Sequence, residues 1–168
     1  MSLVARDGWE YTLGMTDIQS RALPSGSLLA AGCASADYTD CFIAEVPRAV
    51  SLEEYVIAFY NSAAFRPERW ILHAIGKGSG GGDVRALAAG ETEEFAAWTV
   101  EARTNTEILM RDFQQRTCSW LCVEDLSGRT RLYFGSGVRK PDGALVKALM
   151  PFHRFYAKTL LKSAAASV

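Results

Sequence analysis

The sequence has no excess of either charge and no long apolar run near its start. Its 168 residues include 18 lysines and arginines against 19 aspartates and glutamates, which gives a net charge of −1. Without a basic field, the chain has no electrostatic means of attracting nucleic acid or anionic lipid. Residues 1–10 mix acidic and basic side chains with apolar ones, unlike a secretory signal or a membrane span. We therefore expect a cytoplasmic protein with no nucleic-acid partner and no membrane span.

Metal ligands and nucleophile motifs are also scarce. The chain has two histidines and no acidic pair at ligand spacing, so we predict neither a metal nor a cofactor. Of the four cysteines, Cys118 and Cys122 are the only close pair. On one strand their Cα atoms would lie about 13 Å apart, too far for a disulfide or a shared metal ion. We interpret the cysteines as small buried apolar residues in a reducing compartment. No Gly-x-Ser-x-Gly nucleophile motif is present.

A glycine-rich segment, residues 76–82, formally matches the Gly-x-Gly-x-x-Gly pattern of dinucleotide-binding proteins. That pattern requires a strand before it and a substantial helix after it. Here a helix-like segment precedes the glycines, and residues 84–89 offer barely one helical turn. Lys77 is followed by Gly78 rather than by Ser or Thr, so the segment is not a P-loop either. We interpret it as a flexible surface linker.

Length and composition indicate one ordinary globular domain spanning residues 1–168. Hydrophobic residues make up 49% of the chain and charged residues 22%, which is the usual range for a protein with a packed core. Residues 1–37 show no sustained period and are interpreted as a loop-rich lead-in. Residues 38–165 carry the regular patterns and are expected to form the core.

The spacing of apolar residues changes once, and this change predicts the architecture. Up to Val138 apolar residues alternate at every second position, and after the turn at residues 140–143 they recur at every third or fourth. The pattern predicts an antiparallel sheet followed by one long helix. The predicted strands are 40–47, 93–103, 106–114, 116–124 and 129–138, and the long helix runs from Asp142 to about residue 165.

Two short helices are predicted between the first strand and the glycine-rich segment. Ser51 and Glu54 form a capping-box pattern at the start of the first of them, and Pro67 opens the second. In the long C-terminal helix, Pro151 cannot donate a backbone hydrogen bond and predicts either a kink or a break.

The middle strands leave open which face of the sheet lies inside. Large apolar side chains occur on both faces of 106–114 and 116–124. Because a row of exposed apolar side chains is unusual, either the lead-in covers the outer face or a second copy of the chain does. A homodimer is therefore one alternative, with an interface built from Leu109, Phe113, Leu121 and Val123.

The order of strand, helix pair, antiparallel meander and long helix is that of an α+β helix-grip fold. The chain also resembles the DUF2867 family, a bacterial family of unknown function whose members look like Bet v 1 and START-type proteins. The resemblance covers roughly residues 20–163. It lies in Tyr38-Thr39-Asp40-Cys41-Phe42, in Thr106-Glu107-Ile108-Leu109 through Asp112, and in Pro151-Phe152-His153-Arg154 with Leu160-Leu161. It implies an apolar ligand held between a curved sheet and the long helix, although a fold alone does not establish function.

A cavity of that kind would be apolar with a few convergent polar groups. His153 lies beside the apolar stripe of the last helix, where its imidazole can serve as a general base, bond a ligand or simply bond the backbone. Asp112 shares a strand face with Ile108 and Met110 and would be a carboxylate in an apolar setting. The predicted ligand-binding residues are Trp98, Trp120, Phe134, Met150, His153 and Tyr156, and the candidate catalytic residues are Asp112 and His153.

Three functions fit these patterns. The first is binding of a small hydrophobic or amphipathic molecule without covalent chemistry. The second is an enzyme resembling polyketide cyclases and aromatases, in which Asp112 or His153 transfers protons. The third is an interaction module that uses the apolar outer face of the sheet.

Overall fold

The computed structural model describes residues 17–67, 70, 76, 81–139 and 144–168, with side chains in the last range described from residue 152. These residues form an α+β fold with an open antiparallel sheet. The elements, in chain order, are β1 (Gln19–Ser20), α1 (Leu28–Gly32), β2 (Tyr38–Val46), α2 (Leu52–Asn61), a 3₁₀ turn (Ala63–Phe65), α3 (Gly81–Ala89), β3 (Glu94–Phe95), β4 (Trp98–Arg103), β5 (Glu107–Asp112), β6 (Thr117–Asp125), β7 (Thr130–Val138) and α4 (Ala144–Ala165).

The sheet has seven strands in the order β1-β2-β7-β6-β5-β4-β3. β3 to β7 form a meander, because each pairs with the strand that follows it in the chain. β7 then pairs along its length with β2, from Tyr38 opposite Val138 to Val46 opposite Thr130. The predicted meander and long C-terminal helix are confirmed by this arrangement.

One face of the sheet, called the helix face below, carries the main core. Phe42, Leu121 and Leu132 lie on it and pack with aromatic residues of α2 and aliphatic residues of α4. The residues that α2 and α4 contribute to this core include Tyr55, Val56, Phe59, Tyr60, Ala157, Leu160, Leu161 and Ala164. The apolar side chains that alternate along the strands and those that recur every 3.6 residues along the helices thus pack together in one layer.

The start of α2 is set by the predicted capping box. Ser51 Oγ accepts a hydrogen bond from the Glu54 amide at 3.1 Å, and the Glu54 carboxylate accepts one from the Ser51 amide at 2.9 Å. This reciprocal pair satisfies two N–H groups that a helix start leaves without partners. The bond from the Ser51 amide is also the main reason that the pKa of Glu54 lies below its usual value. The capping-box prediction is confirmed.

The opposite face of the sheet, called the α1 face below, is covered by residues of the lead-in. Leu29 of α1 is fully buried there with Cys41, Leu109 and Trp120. Leu121 and Val123 belong instead to the core on the helix face. The predicted outer interface is therefore wrong as a set, since of its four members only Phe113, at 56% exposure, lies at the surface.

Glycines on β7 let α1 approach the sheet closely. A Cβ on Gly135 would lie 2.7 Å from Leu29 Cδ2 and 2.9 Å from Trp120 Cε3, and a Cβ on Gly137 would lie 2.7 Å from Cys118 Sγ. Real Cβ atoms do not approach heavy atoms so closely, so these positions accept no larger side chain without a shift of their neighbours. The alternation of β7 places both glycines on the α1 face.

The cysteines differ from the prediction. Cys33, at the end of α1, forms a disulfide with Cys118 of β6, 85 residues further along the chain. The spacing in the sequence carried no signal for this pair, because α1 was not predicted. Cys41 and Cys122 are free thiols, and burial raises their pKa values to about 11 and about 12.

Three boundaries also differ from the predicted ones. The predicted strand 93–103 is divided into β3 and β4 at Ala96, whose φ of 55° interrupts the extended backbone. The helix α3 begins at Gly81 rather than at residue 84, and residues 77–80 lie outside the described part of the chain. α4 is assigned without a break from Ala144 to Ala165, across Pro151. The proposed N-cap Asp142 lies outside the described residues.

Among the described residues, no helix is both long enough and apolar enough to span a membrane.

The packing of α1 makes a testable prediction about Gly135. We expect Gly135→Ala to lower the free energy of unfolding by about 1–3 kcal/mol, because the added methyl group overpacks a rigid site between Leu29 and Trp120. Gly26→Ala is the matched control, since a Cβ at Gly26 has no heavy atom within 4 Å. Urea denaturation of the two variants checks this. Equal effects of the two substitutions would contradict the close packing of α1 on β7.

Candidate functional site

A cavity of about 220 Å³ lies between the helix face of the sheet and helices α2 and α4. Most of its lining is apolar or aromatic, and its polar groups are concentrated on β6, β7 and α4. The lining residues are Phe59, Tyr60, Phe65, Trp98, Thr117, Cys118, Ser119, Phe134, Ser136, Gly137, Val138, His153, Tyr156, Ala157 and Leu160. This composition, an apolar container with a few grouped polar atoms, is typical of small-molecule sites.

Four of the six predicted ligand-binding residues meet in this cavity. Trp98, Phe134, His153 and Tyr156 all line it. They come from β4, β7 and α4, so the sheet and the closing helix both contribute. Met150 lies outside the residues whose side chains are described.

Trp120 lies on the other side of the sheet. It is adjacent in β6 to Leu121, which packs in the core on the helix face, so the pleat turns Trp120 toward α1. There it is 1% exposed, and its indole N–H donates to Glu107 at 2.7 Å. The same Glu107 oxygen accepts from the Leu28 amide at the start of α1, at 2.9 Å. Trp120 therefore helps to hold α1 on the sheet and does not form a wall of the cavity.

The polar part of the cavity is built on a cross-strand pair. Asp40 on β2 lies directly opposite Ser136 on β7, and both residues are on the helix face. Asp40 Oδ1 accepts from the Ser136 hydroxyl at 2.6 Å and from the Ser136 amide at 3.1 Å. The Asp40 side chain is only 6% exposed. A carboxylate so deeply buried needs several donors, and Ser136 supplies two of them.

Two aromatic side chains complete this polar cluster. The Tyr38 hydroxyl donates to Asp40 Oδ2 at 3.0 Å. His153, from α4, places Nε2 2.8 Å from Ser136 Oγ and 3.6 Å from Asp40 Oδ2. The two rings meet edge to face, with centroids 6.4 Å apart. The polar cluster is hereafter Tyr38, Asp40, Ser136 and His153.

The electrostatics of the cluster keep the Tyr38 hydroxyl protonated. Burial raises its pKa to about 12, and the neighbouring Asp40 carboxylate contributes in the same direction through its charge and its hydrogen bond. Tyr38 is therefore a donor to Asp40 at neutral pH and not a base.

The hydrogen bonds also assign the protons. The Ser136 hydroxyl has one proton and gives it to Asp40, so its oxygen must accept from His153, whose Nε2 then carries a hydrogen. In the neutral imidazole this leaves Nδ1 as an acceptor.

This arrangement differs from a hydrolase triad, although it contains Ser, His and Asp. In a triad the serine donates to the imidazole, and the carboxylate holds the other ring nitrogen. Here Ser136 donates to Asp40 instead, and both oxygen atoms lie on the same side of the ring, at Nε2. Ser136 is therefore not arranged as an activated nucleophile.

Asp112 is not among the residues that line the cavity. Its carboxylate accepts hydrogen bonds from the amides of Gln114, Arg116 and Thr117, at 3.3, 2.7 and 2.7 Å. It thereby holds the tight turn between β5 and β6, where Gln115 has a φ of 60°. Asp112 does share a strand face with Met110, but it lies at the end of the strand, and the turn occupies its oxygens.

Sequence reasoning missed Tyr38, Asp40 and Ser136. A signal existed for Asp40, since it lies two residues before Phe42 on the same face of a strand that is otherwise apolar on that face. The partner Ser136 could not be found without the register between β2 and β7, which are remote in the chain. His73, the second histidine, lies outside the described residues.

The described part of the chain contains no group of three or more histidine, cysteine, aspartate or glutamate residues that could hold a metal ion.

Comparisons with known proteins give no relatives. No family model matches the chain, and no match is found among curated proteins or solved structures.

The buried carboxylate makes a prediction about Ser136. We expect Ser136→Ala to reduce the free energy of unfolding by about 1.5–3 kcal/mol, because it removes a short hydrogen bond to a desolvated charge. Ser119→Ala is the control, since Ser119 lines the same cavity beside Ser136. The loss should shrink when Asp40 is also changed to Asn, which a double-mutant cycle measures. A cycle with no coupling would refute the assigned bond.

A second prediction concerns alkaline pH. The folded-state pKa of Tyr38 is raised from 10.0 to about 12, so its contribution to stability is complete below pH 10 and is lost as the pH rises toward 12. We expect Tyr38→Phe to show a smaller loss of stability over this range than the parent protein. Denaturation series between pH 9 and 12, at about half-unit steps, measure the difference. Parallel pH profiles for the two proteins would show that the Tyr38 hydroxyl is not held by Asp40.

Proposed function

We propose that this protein binds a small, mainly apolar molecule with one hydrogen-bonding group, in the cavity between the sheet and α4. The observation that carries the proposal is an aromatic cavity whose wall includes Ser136 and His153, both of which contact the buried carboxylate of Asp40. A core that served stability alone would gain nothing from a buried carboxylate, which is costly to desolvate.

The volume sets the size of the ligand. An engineered apolar cavity of about 150 Å³ accommodates benzene, and the cavity here is about 220 Å³. A single aromatic ring with one or two small substituents matches that volume, as does a short branched aliphatic chain. The ligand class we propose is therefore a monocyclic aromatic or an aliphatic molecule of similar bulk.

The polar cluster sets the chemistry of the ligand's polar end. With its Nε2 hydrogen directed to Ser136, the His153 ring offers Nδ1 as an acceptor whenever that nitrogen carries no proton. Ser136 Oγ keeps one further lone pair. Both atoms favour a ligand that donates a hydrogen bond, such as a phenol, an alcohol or an amine N–H. Trp98, Phe134 and Tyr156 then surround the apolar body.

The resemblance to the DUF2867 family and to helix-grip proteins supports the same proposal. The described architecture, an antiparallel sheet with a long C-terminal helix across one face, is compatible with that fold. Three of the residues that carry the resemblance, Tyr38, Asp40 and His153, belong to the polar cluster. We propose that the chain is a helix-grip protein whose ligand occupies the position expected for that fold.

An enzyme is the second candidate, and one observation favours it. The His153 side chain is 34% exposed and lines the cavity while bonded to Ser136. An imidazole so placed can take a proton from a bound phenol or from a carbon next to a carbonyl group. Asp112 has no part in this version. The binding function and the enzymatic function share one site. If the protein only binds its ligand, His153→Gln changes an affinity; if it is an enzyme, His153→Gln changes a reaction rate.

Binding of phenol tests the proposal. We expect phenol to bind saturably and to shift the NMR signals of residues that line the cavity, Trp98 and Ala157 among them. Ser119→Leu should weaken this binding at least tenfold, about 1.4 kcal/mol, because it adds bulk to the cavity wall. Isothermal titration calorimetry gives the Kd.

Thr99→Leu is the matched control for this experiment. Thr99 is adjacent to Trp98 in β4 but is exposed on the other face of the sheet, so the added bulk leaves the cavity unchanged. Phenol should bind this variant as it binds the parent protein. Absence of saturable binding to the parent, or equal weakening in both variants, would refute the proposal.

A further inference from the structure

The exposed side of α4 carries two large aromatic side chains. Phe152 and Phe155 are both 72% exposed. They lie three residues apart, so they are neighbours on one side of the helix. Single exposed apolar residues are common on protein surfaces, but two adjacent phenylalanines that are open to solvent form a patch, and such patches mark contact with another surface.

The same side of the helix is basic. Exposed positions recur there at helical spacing and form one stripe, hereafter the outer stripe, which consists of Phe152, Phe155, Lys158, Thr159 and Lys162. The side chains that α4 packs into the core lie on its other side and include Ala157, Leu160, Leu161 and Ala164. The helix therefore presents cations and exposed aromatic rings together on one side.

The charge of the chain is unevenly distributed along the sequence. Residues 144–168 contain no aspartate or glutamate, and their basic residues are Lys147, Arg154, Lys158 and Lys162. Residues 1–143 therefore hold the other 14 of the 18 basic residues and all 19 acidic ones. The net charge of −1, which led us to expect no attraction to anionic lipid, thus combines a basic C-terminal helix with an acidic remainder. An anionic surface that contacts the outer stripe meets positive charge.

The mixture of side chains in the outer stripe suits a lipid surface better than a protein partner. Lysine is depleted from protein–protein interfaces, and charged residues are depleted most at their cores. At a membrane surface, by contrast, lysine side chains keep their charged ends among the headgroups while phenylalanine rings enter the acyl boundary. From Phe152 to Lys162 the stripe is about 15 Å long, so it can lie flat along a bilayer.

We propose that the outer stripe docks the protein on the surface of an anionic lipid bilayer. Phe152 and Phe155 enter the region between the headgroups and the acyl chains, and Lys158, Lys162 and the neighbouring Arg154 contact the anionic headgroups. The helix stays on the sheet during docking, because its other side remains in the core. The contact is peripheral and requires no membrane span.

Co-sedimentation with vesicles tests the aromatic part of the site. We expect vesicles of equal parts phosphatidylcholine and phosphatidylglycerol to bind the protein at least tenfold more tightly than vesicles of phosphatidylcholine alone, and added salt to weaken this binding. Phe155→Gln should weaken binding at least tenfold, because no ring then enters the bilayer at this position. Phe113→Gln is the matched control, since Phe113 is 56% exposed but lies in the turn after β5 and not on α4.

A second pair of variants tests the basic part. Lys162→Gln should weaken binding to the anionic vesicles roughly fivefold, which is the effect of one cation near an anionic surface. Lys162 is preferred to Lys158, because Lys158 Nζ also lies 5.5 Å from the centre of the buried Phe42 ring. Arg116→Gln, at an exposed arginine in the turn between β5 and β6, should bind as the parent protein does.

The outcomes separate the proposal from its alternatives. If the parent protein does not bind the anionic vesicles, or if Phe113→Gln weakens binding as much as Phe155→Gln, the docking site is refuted. Equal binding to both kinds of vesicle would show that the assignment to an anionic surface is wrong. A dimer that Phe155→Gln converts to a monomer, in a protein that binds no vesicles, would show that a second copy of the chain covers the stripe instead. Circular dichroism of each variant confirms that it is folded.

Discussion

The register of β7 between β2 and β6 is the constraint on which both sides of the sheet depend. Alternate residues of this strand face opposite ways, so Phe134 and Ser136 reach the cavity while Gly135 and Gly137 receive α1. A slip by one residue would direct the glycines into the cavity and Phe134 and Ser136 against α1. Neither the polar cluster nor the packing of α1 would survive that change. The sequence Phe-Gly-Ser-Gly at 134–137 thus meets two requirements at alternate positions. Phe134 and Ser136 supply side chains to the helix face, and Gly135 and Gly137 leave room for α1 on the other face.

The two faces of the sheet use buried charge in different ways. On the helix face, the oxygens of Asp40 are taken up by Ser136 and Tyr38, so the carboxylate is fully supplied with donors. On the α1 face, Arg111 is equally buried but retains one donor without an acceptor. A buried charge whose hydrogen bonds are satisfied rigidifies its surroundings, whereas a buried donor without an acceptor costs free energy.

The amount of structure that the sequence could predict varied with the strength of the local signal. The capping box at Ser51 and Glu54, a strand at 40–47 and the long C-terminal helix follow from local patterns and are confirmed, the strand with bounds Tyr38–Val46. The faces of β6 could not be assigned, because Trp120 and Leu121 are both large and apolar and both faces are in fact buried. The short helix α1 has only one turn and no long apolar period, so neither it nor the pairing of Cys33 with Cys118 could be foreseen.

The candidate site was predicted to the extent that it depends on α4 and on large aromatic residues. Trp98, Phe134, His153 and Tyr156 were identified from periodicity, and all four line the cavity. Of the polar cluster, Tyr38, Asp40 and Ser136 were not predicted. Asp40 and Ser136 come together only through the pairing of β2 with β7, and these two strands are remote in the chain. Asp112 was predicted as a candidate because it shares an apolar strand face with Ile108 and Met110. In the structure its carboxylate accepts hydrogen bonds from the backbone of the β5–β6 turn.

The adjacency of β2 and β7 also bears on the order of events as the chain folds. The meander from β4 to β7 forms between neighbours in the sequence, and such local pairings close quickly. The pairing of Tyr38 with Val138 instead joins segments from the two ends of the core, with α2, α3 and the whole meander between them. Closing so long a loop carries a large entropic penalty and waits until the intervening elements are compact. We therefore expect Asp40 and Ser136 to meet only after the meander has formed, so that the polar cluster is assembled late in folding.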